Sequence, residues 1–131
     1  MTSYSGGIFY ISVDSFLYVS ESYFMSCEAV SGSLAEVSQA KEVIILNSFI
    51  FKCKSNKGIV TFFDIEYVFL KSLTFIKNFA IETAIIFLLN NEKNLSIYYF
   101  ENLTFLGEET KNDLFLMDGN NYLILIQAYF E

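Results

Sequence analysis

The sequence predicts an all-β fold, a parallel solenoid of about five coils of about 26 residues that occupies 1–131 as a single segment. Three observations predict it. Small residues precede apolar, strand-like runs at Gly7, Gly32, Gly58 and Ala84, with Asn112 in the fifth place, at spacings of 25, 26, 26 and 28. A second apolar run in each unit leads to one phenylalanine: Phe24, Phe51, Phe75, Phe105 and Phe130. Proline is absent from all 131 residues, as suits strands that each need their N–H for a neighbour.

The elements follow in order. Two residues after each leading small residue stand Phe9, Leu34, Val60, Ile86 and Leu114, all apolar, as the inner face of a first strand. Counting back from the phenylalanines gives the second strand. Seven residues before them stand Leu17, Ile44, Val68, Tyr98 and Leu123, and five before them Val19, Leu46, Leu70, Phe100 and Leu125. Two apolar columns two residues apart form one face of a strand. Three before each phenylalanine stand Glu21, Ser48, Ser72, Asn102 and Gln127, a polar column that predicts a bend. The phenylalanine then lies on a third strand and stacks with its counterparts in a core ladder. Ser55–Gly58 and Glu108–Asp113 read as turns. The alternative is an antiparallel β-sandwich of regularly spaced strands.

Composition excludes several functions. The chain has 15 acidic residues against 8 basic ones, all lysine, for a net charge of −7. That balance argues against a nucleic-acid partner. Without histidine there is no imidazole catalysis and no His-ligated metal. Without arginine there is no bidentate guanidinium clamp. Mean hydropathy is positive, yet the best apolar run, Ile59–Leu70, carries Asp64 and Glu66, so no transmembrane helix is expected. Met1–Ser5 has neither the basic nor the apolar region of a signal peptide.

Gly6-Gly7-Ile8-Phe9 approximates a Gly-Gly-Ala-hydrophobic turn, and Phe75-Ile76-Lys77-Asn78 matches a Phe-x-x-Asn motif. Through these the sequence resembles the pectin-lyase-like, right-handed parallel β-helix repeats of large ciliate cell-surface proteins and bacterial polymorphic outer-membrane proteins. The resemblance implies right-handed coils, an extracellular or cell-surface location, and partners that are other protein chains or the remainder of a longer β-helix. The first unit starts almost at once and Glu131 follows Phe130 before that coil closes, so the segment is expected to belong to a longer solenoid. Many relatives of this fold cleave acidic polysaccharides with Arg or His beside carboxylates. Those sets are incomplete here, so the expected role is a non-catalytic scaffold, adhesion or recognition segment with no cofactor. One alternative is carbohydrate binding or carboxylate-based polysaccharide cleavage. Another is a structural subunit that assembles through open coil ends.

The candidate site residues are few. Acids recur after the first strand at Asp14, Glu42, Asp64, Glu92 and Asp118. They read as a solvated row, as a weak calcium site of Asp14, Asp64 and Asp118, or as a carboxylate pair. Cys27 and Cys53, one repeat apart, are candidates for a disulfide between coils or for two neighbouring free thiols. Asn94-Leu95-Ser96 and Asn102-Leu103-Thr104 are glycosylation triplets. Tyr10, Phe87 and Phe115 share a column that would form an aromatic recognition face. Tyr23, Ile50, Thr74, Thr104 and Tyr129, just before the phenylalanines, are expected to face outward.

Overall fold

The computed structural model describes residues 2–5, 7–82, 84–110 and 114–131, with only the backbone described for 2–5. Every paired strand is parallel, and the described residues contain no helix. The first coil comprises β1 (Thr2–Ser5), β2 (Phe9–Ser12), β3 (Phe16–Ser20) and β4 (Tyr23–Met25). The second comprises β5 (Glu28–Ser31), β6 (Ala35–Ser38), β7 (Glu42–Leu46) and β8 (Phe49–Phe51). The third comprises β9 (Lys54–Ser55), β10 (Val60–Phe63), β11 (Tyr67–Lys71) and β12 (Thr74–Ile76). The fourth has β13 (Phe79–Ala80), β14 (Ile86–Asn90) and β15 (Ser96–Leu106), and the fifth β16 (Glu109–Thr110), β17 (Phe115–Gly119) and β18 (Asn121–Phe130).

Three sheets result. A short sheet orders β1-β5-β9-β13-β16, and a second orders β2-β6-β10-β14-β17. The long sheet is folded along its middle: β15 and β18 run through the fold, whereas the first three coils divide there into β3/β4, β7/β8 and β11/β12. Each coil therefore has four extended runs rather than the three expected.

The bends explain the division. Glu21, Asn47, Ser72, Asn102 and Gln127 all have φ between 48° and 55°. A second such column holds Ser26, Lys52, Lys77 and Gly107, and a third Asp14, Gln39 and Asp64. A left-handed L-residue costs about 1–2 kcal/mol. The ladder continues through the bends and offsets that cost. Glu21 N–H donates to Leu46 O (3.1 Å), Asn47 N–H to Lys71 O (3.0 Å) and Ser72 N–H to Glu101 O (2.9 Å).

Three residues after the first bend, the side chain returns to the core. This spacing corrects the phenylalanine ladder. Phe24 pairs with Ile50, Ile50 with Phe75, Phe75 with Phe105, and Phe105 with Phe130. Phe51 lies one place on, paired with Met25 and Ile76, and faces outward. The bend in the second coil is Asn47 rather than Ser48, and the inner residues of β7 are Val43 and Ile45 rather than Ile44 and Leu46. Rings stack at 4.9 Å for Phe75–Phe105 and 5.3 Å for Phe105–Phe130.

The core runs the length of the stack and holds Val43, Val68, Tyr98, Leu70 and Phe100 among its most buried members. The first-strand column is Phe9, Ala35, Val60, Ile86 and Phe115, so Ala35 and Phe115 replace the expected Leu34 and Leu114. Gly6 of the turn motif, the leading Asn112 and Asp113 lie outside the described residues.

Candidate functional site

Three places concentrate chemistry: the outer face of the long sheet, a polar groove at one bend, and a buried corner.

Strands of the long sheet are apolar at both parities, as in Glu42–Leu46 (EVIIL) and Ser96–Phe100 (SIYYF), so the outer face is apolar too. Its central column is Tyr18, Ile44, Phe69, Tyr99 and Ile124. Beside it lie Phe16, Glu42, Tyr67, Ile97 and Tyr122. Beyond the bend come Tyr23, Phe49, Thr74, Thr104 and Tyr129. Phe49 thus holds the outward place expected of Ile50, which is buried. Phe16, Tyr18 and Tyr23 are 67%, 65% and 74% exposed. Tyr23 and Phe49 stack with centroids 5.0 Å apart and planes 3° apart, and Phe69 and Tyr99 lie 5.1 Å apart. One ion pair crosses this face, Lys71 Nζ to Glu101 Oε1 at 3.3 Å. Five strands at ~4.8 Å and about eight residues at ~3.3 Å give a face of roughly 600 Å². Glu42, Lys71, Glu101, Thr74 and Thr104 take up part of it, and the apolar remainder is of the size of a monomer's largest apolar patch.

The predicted aromatic face is not assembled. Tyr10 and Phe87 share a column, but Glu36 and the fully buried Thr61 stand between them and Leu116 continues it. Phe115 points into the core, 5.4 Å from the Phe105 ring and 6.1 Å from Phe100. The fifth first-strand begins one residue later than the leading-residue count placed it, and one residue reverses the face.

The polar groove, about 270 Å³, is lined in part by Asp14, Gln39, Asp64, Glu66, Asn90 and Glu92. Two predicted calcium ligands, Asp14 and Asp64, line it with Glu92, whereas Asp118 lies exposed on β17 and Glu42 lies half-buried on β7. Among the described residues no group of three or more His, Cys, Asp or Glu side chains is placed to hold a metal ion. The groove's polar groups build its own turn. Asp64 Oδ1 accepts from Asn91 N–H (2.8 Å), and Asn90 Nδ2 donates to Asn94 O (2.9 Å) and Asn120 O (2.6 Å). Beneath it, burial pushes the Tyr98 phenol up to about 12, with Ser96 pulling it partly back.

The buried corner follows the second bend. Its column is Cys27, Cys53, Asn78 and Glu108. Asn78, the last residue of the Phe-x-x-Asn motif, is fully buried. Its Oδ1 accepts from Cys53 N–H (2.8 Å), and its Nδ2 donates to Ile50 O (3.0 Å) and Glu108 Oε2 (3.0 Å). Burial pushes the Glu108 carboxyl up to about 7, while the Asn78 donors pull it partly back. The sequence reads Glu108 as the start of a turn. The missed signal is its place, three residues after Phe105, which is Asn78's place after Phe75.

Cys27 and Cys53 are buried and are free thiols in this structure. Each sulfur donates to the carbonyl two residues back, Cys27 to Met25 O at 3.7 Å and Cys53 to Phe51 O at 3.8 Å. That common orientation keeps the two side chains parallel instead of converging. Asn94 and Asn102 are both exposed, and Asn102 Nδ2 donates to Ser72 Oγ (3.3 Å) along the bend column.

Comparisons of the chain with protein-family models, with curated proteins and with solved structures found no match.

Proposed function

We propose that this chain is a non-catalytic scaffold segment of a right-handed, pectin-lyase-like β-helix in a surface or secreted protein, and that its long-sheet outer face recognises another protein. The observation that carries the reading is that face, apolar and aromatic across five coils. An outer face that needed only solvation would alternate polar residues with the inner apolar ones. Right-handed winding agrees with the strong preference of parallel crossovers. The carboxyls give no support to cleavage. A glycosidase needs two nearby acids whose environments push them apart, and the raised carboxyl, Glu108, is bound to Asn78 at a different bend from Asp14, Asp64 and Glu92.

The test is a triple variant, Phe16→Thr, Tyr18→Thr and Tyr23→Thr, which keeps strand-compatible residues and leaves the inner columns intact. The parent should bind an apolar-surface dye and associate reversibly in sedimentation, and the variant should do neither while keeping its β circular dichroism. Equal behaviour of the two chains would overturn the role of the face. Release of reducing ends from a polysaccharide, abolished by Asp64→Asn, would overturn the non-catalytic reading. Carbohydrate stacking on the same aromatic face is the second reading, favoured by the coplanar Tyr23–Phe49 pair. It would appear as glycan-array binding that the triple variant loses.

A further inference from the structure

The two cysteines occupy equivalent places in successive coils. Each follows a left-handed bend residue, Ser26 (φ 54°) and Lys52 (φ 53°), which turns the next side chain inward. Lys54 N–H donates to Cys27 O at 2.7 Å, and the strands beyond pair Glu28 with Lys54, so the two cysteines are in register. Neighbouring strands lie ~4.8 Å apart, inside the Cα separation of about 4.4–6.8 Å that a disulfide needs. The neighbouring thiol lowers the Cys27 thiol and, with burial, raises that of Cys53. The first proton therefore leaves the pair more readily than the second.

Their surroundings are unusual for this chain. Against a net charge of −7, a surface hollow of about 370 Å³ beside Cys53 is lined by Lys52, Lys54 and Lys77, with Glu109 as its one acid. The lysines draw in anions, while burial and the Glu108 carboxylate hold the Cys53 thiol itself up.

We propose that Cys27 and Cys53 form an oxidisable dithiol that closes into a disulfide between the first two coils when it meets an anionic low-molecular-weight disulfide such as oxidised glutathione. One thiolate attacks a sulfur of the oxidant and breaks its S–S bond. A mixed disulfide forms, and one small thiolate leaves and takes up a proton. The second cysteine, deprotonated in turn, attacks the protein sulfur of that mixed disulfide and expels the other small thiolate. Two protein thiols are oxidised and one small disulfide is reduced to two thiols. The ladder already holds the backbones in register, so closure needs rotation of the two side chains from their carbonyl partners toward each other and, because Cys27 and Cys53 are 4% and 1% exposed, a local opening of the corner that admits the oxidant.

The experiment uses the full chain, reduced and then incubated with oxidised glutathione. The expected product is a monomer lighter by about 2 Da, with no thiol left to alkylate under denaturing conditions. Digestion should yield one peptide pair joining Cys27 to Cys53. The thermal midpoint should rise by about 5–10 °C and return on reduction. Cys53→Ser should stop at the glutathione adduct on Cys27. Two free thiols after incubation, a lasting adduct on the parent chain, or a disulfide-linked dimer would each overturn the proposal.

Discussion

The second coil offers a sharp test of the register, because adjacent residues compete for one place. Ile50 is fully buried between Phe24 and Phe75 in the core ladder. Ile50→Ala removes about three methyl or methylene groups, or about 2 kcal/mol of transfer free energy at ~0.8 kcal/mol each. The ladder holds the coils apart, so the rings above and below cannot close the space, and the cavity brings the cost to about 3–4 kcal/mol. Phe51 is half-buried on the outer face, with Lys52 Nζ 5.0 Å from its ring centroid. Phe51→Ala loses part of a side chain's burial and a cation–π contact of about 0.5 kcal/mol, for about 1–1.5 kcal/mol in all. Urea unfolding reads the difference of about 2 kcal/mol. With a slope of ~2 kcal/mol/M, the two midpoints separate by about 1 M. The slopes must match, because a solenoid that loses one coil separately unfolds in more than one step. A Phe51→Ala cost equal to or above that of Ile50→Ala would refute the register and return Phe51 to the core ladder.

Three further outcomes are expected. Asn78→Ala leaves Cys53 N–H and Ile50 C=O without their buried partner and should cost about 2–4 kcal/mol in chemical unfolding. A cost under 0.5 kcal/mol would remove the corner's structural role. Ser72, at φ 54°, should tolerate glycine within about 0.5 kcal/mol, whereas Ser72→Val should cost about 1–3 kcal/mol; equal thermal midpoints would contradict the left-handed bend. Glu108, pushed up to about 7 from 4.5, holds in the folded chain a proton that the unfolded chain releases. Its contribution is full below pH ~4.5 and is lost as pH rises through ~7. The full shift corresponds to about 3 kcal/mol, which solvent screening of a half-buried group cuts to about 1–2 kcal/mol. Parent stability minus Glu108→Gln stability should therefore fall across that window, and parallel pH profiles would show no such burial.

The repeat is legible where the spacing from the leading small residue or from the bend stays constant from coil to coil. Gly7, Gly58 and Ala84, and the inner pairs Leu17/Val19, Val68/Leu70 and Tyr98/Phe100, stand at the same places in their coils. It is not legible where that spacing slips by one residue within a run apolar at both parities. In Phe49-Ile50-Phe51 size favoured the phenylalanine, but the bend at Asn47 sets the face and the third residue after it is Ile50. The same ambiguity in Leu114-Phe115-Leu116 turned Phe115 outward on paper. It also masks the extent of the apolar outer face, because alternation cannot separate inner from outer residues in a strand apolar at both parities. The Phe-x-x-Asn motif was visible, yet its reason was not. Asn78 caps the backbone of a neighbouring coil, a relation between residues 25 apart that local pattern does not display.

The charge distribution bears on why the outer face is apolar. Of 23 charged residues, the long sheet's outer face places only Glu42, Lys71 and Glu101 in its strands over the first four coils. Others stand at bends, as Asp14, Glu21, Lys52, Asp64 and Lys77 do. The fold did not require this arrangement. Outward positions on a parallel strand accept threonine, lysine or glutamate with little loss of stability, and Thr74 and Thr104 occupy two of them. An uncovered apolar sheet face of this size carries an aggregation cost, which a covering partner removes. If the triple threonine variant keeps the parent's unfolding midpoint and loses only its association, the outer aromatics serve contact and not the coil. If the unfolding free energy falls by more than about 2 kcal/mol, they are structural, and the recognition proposal fails with them.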